Sequence, residues 1–144
     1  MQTRKIKITG LSIQALVFAG GYTGWVDPAI SEKNFPTQKE NIGEWETQIF
    51  ALISNTSTVT IERMSSQAGW ILATMEHMLT YGAKYPDEQR NGRIVGLHHS
   101  PYSLSHDIGM PVLYTAGKDR GVSLAVCERE WSVNYRFLAV RRTS

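Results

Sequence analysis

The spacing of hydrophobic and polar residues changes once, near the middle of the chain. In residues 58–62 apolar and polar side chains alternate, which is the period of a half-buried strand. From Ser66 to Tyr81 the apolar residues recur at helical spacing, and Gly82 follows where a helix would end. The pattern therefore predicts one helix at about 66–81, whose sheet-facing residues are Ala68, Ile71, Leu72, Met75 and Leu79.

Alternation elsewhere predicts strands on both sides of this helix. It is most regular in Trp131–Val140, where aromatic and apolar residues lie on one face and Ser132, Asn134 and Arg136 on the other. Shorter or less regular apolar runs predict strands at Lys5–Thr9, Leu11–Ala19, Glu44–Ile53, Arg93–His98, Val112–Tyr114 and Val122–Cys127. Many short strands and one helix favour a mainly β fold, a β-sandwich or barrel, with one flanking α-helix.

A long polar segment, residues 27–43, separates two predicted strands. It is rich in Ser, Glu, Lys, Asn, Pro and Gln, and its only large apolar residues are Ile30, Phe35 and Ile42. Loops longer than about 12–15 residues are uncommon in compact domains and are usually functional or disordered. We therefore expect a surface loop, or a polar hairpin that stands away from the body and adds little to its own core.

Composition narrows the possible classes of protein. A chain of 144 residues with 42% hydrophobic and 19% charged residues is typical of one globular domain. The net charge of +2 comes from scattered basic residues, which argues against a nucleic-acid-binding protein. The single cysteine, Cys127, excludes an internal disulfide and a zinc site built on several cysteines. With no signal-peptide pattern and no apolar run of about 18–20 residues, we expect a soluble protein.

One cluster has residues that could bind a metal: His98, His99, His106 and Asp107. Adjacent His98 and His99 would point to opposite faces of an extended chain, so loop histidines at a surface or subunit contact explain the cluster better. The chain has no nucleophile elbow, phosphate-binding loop or nucleotide fingerprint. The sequence thus predicts no enzyme, no metal and no cofactor.

Three stretches resemble the tail tube proteins of bacteriophages, especially the small ones of long-tailed phages. The first is the strand pair Ile6-Lys-Ile-Thr-Gly-Leu-Ser-Ile13 with the polar segment that ends Glu40-Asn-Ile-Gly-Glu-Trp-Glu46. The second is Asn55–Ser66 with its Ser-capped helix, and the third is Arg129-Glu-Trp-Ser-Val-Asn-Tyr-Arg-Phe137. Together they cover roughly 60 residues by approximate pattern. The stretch from Arg90 to Pro111 does not match the family.

The resemblance implies a structural virion protein that forms homohexameric rings stacked into a hollow tube. In this family, and in the related tubes of type VI secretion, strands of six subunits form a continuous inner barrel, and phage DNA passes through the lumen. The tail sheath, baseplate and tail terminator would be partners, with assembly in the host cytoplasm. The resemblance also implies that the long loop contacts the neighbouring ring, and the candidate contact residues are Glu32, Lys33, Phe35, Lys39, Glu40 and Ile42.

Two other classes of protein are open from the sequence. One is a capsid decoration or tail-completion protein, which is also a β-rich phage assembly component but forms smaller rings or trimers. The other is a small metal-binding or enzymatic domain centred on His98–Asp107.

Overall fold

The computed structural model describes residues 3–98, 103–104, 107–126 and 130–143. The strands are β1 (Arg4–Ile8), β2 (Gly43–Ala51), β3 (Thr56–Ser57), β4 (Ile71–Leu72), β5 (Arg93–Val95), β6 (Ser103–Leu104), β7 (Asp107–Ala116), β8 (Asp119–Val126), β9 (Glu130–Trp131) and β10 (Tyr135–Arg142). The helices are α1 (Ile13–Gly20), α2 (Thr58–Gln67) and α3 (Met75–Lys84), with short 3-10 helices at Lys39–Asn41 and Glu88–Asn91. Strand exceeds helix, 38% against 27%, so the predicted mainly β class is confirmed.

Eight of these strands form one mixed sheet. Its order is β1-β2-β10-β5-β7-β6, with β4 beside β10 and β8 beside β7. β10 and β5 are parallel, and the other neighbours are antiparallel. β3 and β9 pair separately as a two-stranded ribbon. The described strands thus form one large mixed sheet and a short two-stranded ribbon, where the sequence predicted a β-sandwich or barrel.

Both faces of the large sheet are covered, and each has its own hydrophobic core. Alternate residues of β10 point to opposite faces, so Leu138 and Val140 belong to the first core and Phe137 to the second. The first core includes buried residues of α1 and α3, and the second includes Ile61 of α2 and the fully buried Trp131. Burial on both faces explains why central strands of this sheet are mostly apolar.

The strand predicted at Leu11–Ala19 is wrong, because this segment contains helix α1. The Ser12 side chain caps the helix by accepting a hydrogen bond from the Ala15 N–H at 3.2 Å. Gly21 ends it in the left-handed conformation, with φ of +60°. Ile13 and Leu16, one helical turn apart, are both buried. Apolar residues on almost every side of α1 hid this helical period.

The single helix predicted at 66–81 is also wrong, since the segment contains two helices and a strand. Ser57 caps α2 at its start, so residues 58–62, predicted as a strand, form the first turns of this helix. Gly69, with φ of +83°, lies in the turn after α2, and Thr74 with His77 then forms a capping box that begins α3. Local capping therefore overrides the continuous apolar stripe.

This division changes the predicted helix–sheet contacts. Ala68 and Ile71 are exposed, Ile71 by 51%, so their assignment to the core is wrong. Leu72 is buried as predicted, but it lies on β4, while Met75 and Leu79 are buried on α3.

Candidate assembly surfaces

The polar segment 27–43 lies against the body of the protein and does not stand away from it. Ile30 and Phe35 are only 6% and 5% exposed, and both belong to the first core. The expectation that this segment adds little to its own core is therefore wrong. Phe35 in this fold is not available for contact with a neighbouring ring.

Glu32 explains part of this anchoring. Its carboxylate accepts hydrogen bonds from the Ile13 N–H at 3.0 Å, and from the Thr37 N–H and hydroxyl at 2.6 and 2.8 Å. Desolvation is the largest influence and raises the pKa of Glu32, but the hydrogen bonds from Thr37 and Ile13 together outweigh it, so the pKa lies below its usual value. Glu32 thus holds the segment to the start of α1, an intramolecular role that the sequence did not indicate.

The end of the segment is fixed by the C-terminal strand. The guanidinium of Arg142 donates to the backbone oxygen of Ile42 at 2.9 Å and also to that of Glu40. It stacks 4.2 Å from the ring centroid of Trp45, whose indole N–H donates to the Asn41 oxygen at 2.8 Å. Of the predicted contact residues, Lys33, Lys39, Glu40 and Ile42 remain exposed.

Among the described residues, only the first half of the outer edge of β8 has a neighbouring segment. Residues 24–27 run parallel to its first half: Gly24 N–H donates to the Arg120 oxygen at 2.7 Å, and the Val122 N–H donates to the Trp25 oxygen at 3.2 Å. Beyond Val122, no strand in the described ranges pairs with this side of β8. Backbone N–H and C=O groups alternate in direction along a strand. Those of Leu124 and Val126 therefore point the same way as those of Val122, away from β7.

Pro111 on β7 agrees with this direction. It lies opposite Leu124, and its oxygen accepts from the Gly96 N–H on the β5 side at 3.0 Å. The backbone oxygen of Pro111 therefore faces β5. The N–H and oxygen of Leu124 consequently form no hydrogen bonds with Pro111. Within the described ranges, the last residues of β8 therefore have no partner strand on this side.

The other end of the sheet is protected by side chains. The Lys5 oxygen on β1 accepts from the Lys84 ammonium at 2.9 Å and from the Tyr85 hydroxyl at 2.7 Å. Such contacts reduce the ability of an edge strand to pair with another chain. β1 and β8 therefore differ as edge strands: side chains occupy a backbone oxygen of β1, whereas among the described residues the second half of β8 has no neighbouring strand on its outer side.

Several large apolar side chains lie on the surface. Phe18 on α1 is 89% exposed, and on and near α2 the exposed residues are Ile53, Val59, Met64 and Ile71. The strongly apolar sequence of α1 was a signal for such a surface, since a helix that is hydrophobic on all sides needs cover on all sides. The sequence pattern places Phe18, Ile53 and Val59 on predicted strands and Ile71 in the predicted core, so it does not indicate that they are exposed.

The histidine cluster is only partly within the described structure. His98 is exposed and directly follows the buried Leu97. His99 and His106 lie outside the described residues, and Asp107 is the first residue of β7. Within the part of the chain that the structure describes, no group of three or more His, Cys, Asp or Glu side chains could hold a metal ion.

Comparison with known proteins finds no family model, no curated protein and no solved structure that matches the chain. Among the described residues, no helix is long and apolar enough to cross a membrane.

Proposed function

We propose that this chain is a structural subunit that assembles with copies of itself, as the tail tube proteins of bacteriophages do. The observation that carries the proposal is that, among the described residues, no strand pairs with the outer edge of β8 at Leu124–Val126. An unpaired edge presents N–H and C=O groups to a partner strand, and closing strands from several subunits into a barrel removes such edges.

The exposed apolar residues support the same proposal. Phe18 and Ile53, exposed by 89% and 100%, are large hydrophobic side chains whose burial against another subunit would be favourable. A hexameric ring offers each subunit two neighbours within the ring and two along the tube. In the proposed tube the phage DNA passes through the lumen, with tail sheath, baseplate and terminator as further partners in the virion.

For contacts between stacked rings we propose the exposed part of the segment 27–43. Lys33, Lys39, Glu40 and Ile42 supply both signs of charge and one apolar side chain, a composition typical of the rim of an interface. Reversing one charge, in Lys39→Glu, is expected to shorten tubes without preventing ring formation. Tubes of normal length would remove Lys39 from the contact.

The test of the main proposal is negative-stain electron microscopy of the purified full chain, together with light scattering of the material in solution. Six-fold rings or tubes are expected. Discrete trimers would favour a decoration or tail-completion protein, and monomers at all concentrations would contradict self-assembly.

A matched pair of variants tests the role of the β8 edge. Val126→Pro removes an outward N–H, whereas Val126→Ala shortens the side chain and keeps that N–H. We expect Val126→Ala to assemble like the unmodified chain, and Val126→Pro to remain monomeric with an unchanged circular dichroism spectrum. Assembly of both variants would exclude pairing through this edge.

A further inference from the structure

A cleft of about 350 Å³ lies between the large sheet and the segment that follows α3. One wall is the face of β1, β2 and β10 that carries Arg4, Ile49 and Arg136. The opposite wall is made by Tyr81 of α3 and by Glu88. This volume is at the small end of the range of ligand pockets, about 300–1,000 Å³.

Arg136 is held rigidly in this cleft. Its Nη1 donates to Glu88 Oε1 at 2.8 Å, and its Nη2 donates to the backbone oxygens of Glu88 and Gly92 at 2.8 and 2.7 Å. Its side chain is 16% exposed, and that of Glu88 is 17% exposed. Three fixed bonds leave Arg136 no freedom to turn toward solvent, so its charge has a defined position.

Among the described residues, the Arg4 guanidinium has fewer hydrogen-bond partners than N–H donors. Its Nη1 lies 3.3 Å from Glu88 Oε2, and its guanidinium is 4.8 Å from the ring centroid of Tyr85. A third of its side chain is exposed. Since a guanidinium carries five N–H donors in a planar fork, contacts with Glu88 and the Tyr81 hydroxyl leave some of them free to face the cleft.

The charges that line the cleft do not balance. Two guanidinium groups, those of Arg4 and Arg136, share the one carboxylate of Glu88, so one positive charge is in excess. Burial raises the pKa of Tyr81 to about 12, and the Glu88 charge adds to the rise, so its hydroxyl stays neutral at physiological pH. The cleft therefore combines an excess of one positive charge with a neutral hydroxyl and the aliphatic side chains of Ile49 and Ala51.

We propose that this cleft binds a small aliphatic monocarboxylate, with its carboxylate on Arg4 and its hydrocarbon chain against Ile49 and Ala51. Bidentate pairing with a guanidinium gives a carboxylate two parallel charge-assisted hydrogen bonds, which are about twice as strong as neutral ones. Arg136 and Glu88 position Arg4 and supply the surrounding field. Arg136 alone would balance the charge of Glu88. Arg4 therefore adds the excess positive charge that a bound carboxylate would neutralise. All residues that line this cleft belong to one subunit.

The test is titration calorimetry of the full chain with butanoate, with butylammonium as a ligand of similar shape and opposite charge. Saturable binding of butanoate with a dissociation constant of about 1 mM is expected, and no binding of butylammonium. Inorganic phosphate is titrated in parallel. Tighter binding of phosphate than of butanoate, or the absence of saturable butanoate binding, would overturn the proposal.

Two variants locate the site. Arg4→Gln should weaken butanoate binding about tenfold or more, the loss typical of one charge-assisted hydrogen bond. Lys7→Gln, the control, makes the same change in net charge on the same strand but at an exposed position outside the cleft. Equal affinities of these two variants would refute the role of Arg4.

A third variant tests the site even if Arg4→Gln does not fold. Ala51 is exposed and lies directly opposite Arg136 in the β2–β10 pairing. In Ala51→Glu the new carboxylate can occupy the cleft itself, with both arginines intact. Butanoate binding should then disappear while the circular dichroism spectrum is unchanged. A folded Ala51→Glu protein that binds butanoate like the unmodified chain would place the ligand elsewhere.

Discussion

The Asn41 side chain donates a hydrogen bond of 2.9 Å to Oε1 of Glu76 on α3. The backbone N–H of Gln38 donates to the same oxygen at 3.3 Å. Glu76 is 3% exposed, and its second carboxylate oxygen has no hydrogen-bond partner among the described residues. Both donors to this buried carboxylate come from the segment 27–43, so the segment and the helix stabilise each other.

Replacement of Asn41 tests this relationship. Asn41→Ala removes a donor to a buried carboxylate, and we expect it to lower the free energy of unfolding by about 1.5–3 kcal/mol. The exposed Asn55→Ala is the control, with an expected change within about 0.5 kcal/mol. Urea denaturation measures both. Equal stabilities of the two variants would show that the Asn41–Glu76 bond contributes little.

Two phenylalanines test the burial of the segment 27–43. Phe35 is 5% exposed and Phe18 is 89% exposed. Phe35→Ala should cost about 3–5 kcal/mol of stability, because it leaves a cavity in the first core. The same change at Phe18 should leave the stability of the isolated chain nearly unchanged. If Phe35→Ala is as stable as Phe18→Ala, the segment does not pack as described.

The sequence predicted the strands best where alternation coincides with pairing in the sheet, as in β1 and β2. The strand predicted at Trp131–Val140 is divided by a turn at residues 132–134 into β9 and β10. It failed in residues 58–81, where Ser57 and Thr74 each cap a helix and thereby override an apolar stripe that continues through both. The apolar stripe favours one continuous helix, whereas the capping residues favour two separate helices. Periodicity alone does not show which of these forms.

The anchoring of the segment 27–43 and the arginine cleft could not be predicted for a different reason. Asn41 and Glu76 are 35 residues apart in the sequence, and Glu88 and Arg136 are 48 apart. Each pair meets only through the tertiary fold. The local sequence does not show whether a polar residue will be buried and hydrogen-bonded to a distant partner or will stay in water.

Adjacent residues of β4 provide a direct test of the corrected 66–81 region. Leu72→Ala should cost about 2–5 kcal/mol, since Leu72 is 8% exposed and packs in the second core. Ile71→Ala should cost less than about 1 kcal/mol, because Ile71 is 51% exposed. One continuous helix would give both changes a similar cost. Thermal and urea denaturation of the two variants distinguish these outcomes.

Arg120 joins the ends of two helices in the interior. Its guanidinium donates to the backbone oxygens of Gly20 and Gly82, each at 2.8 Å, and lies 4.7 Å from the ring centroid of Tyr22. It is 7% exposed. These carbonyls lie near the C-terminal ends of α1 and α3, where the helix dipole favours a cation.

Arg120→Met should lower the free energy of unfolding by about 2–4 kcal/mol, because both carbonyls lose a charged donor in a buried site. Lys118→Met, two residues away, also removes one positive charge, but Lys118 is exposed. This change should alter the free energy of unfolding by less than about 0.5 kcal/mol. The comparison is made by urea denaturation. A small effect at Arg120 would mean that water replaces its hydrogen bonds.

The buried side chain of His77 makes the stability of the protein depend on pH. His77 is 1% exposed, and its Nδ1 accepts a hydrogen bond from the Thr74 N–H at 3.1 Å. Burial, with smaller electrostatic contributions from His98 and Arg142, lowers the pKa of His77 from 6.5 to about 3. Between these two values the unfolded chain binds a proton that the folded chain does not. Stability therefore falls as the pH is lowered through this window, by at most about 1.4 kcal/mol per pH unit.

His77→Gln separates this effect from the titration of the carboxylates. Glutamine at the same capping-box position can still accept from the Thr74 N–H but does not titrate. We expect the stability of the unmodified chain to decline between about pH 6.5 and about pH 4 more steeply than that of His77→Gln, by up to about 1.4 kcal/mol per unit. Above about pH 7 the two curves should run parallel, because His77 is then neutral in both states. Urea denaturation across this range measures the difference, and identical slopes below pH 6.5 would show that the folded protein accepts a proton on His77 as readily as the unfolded chain does.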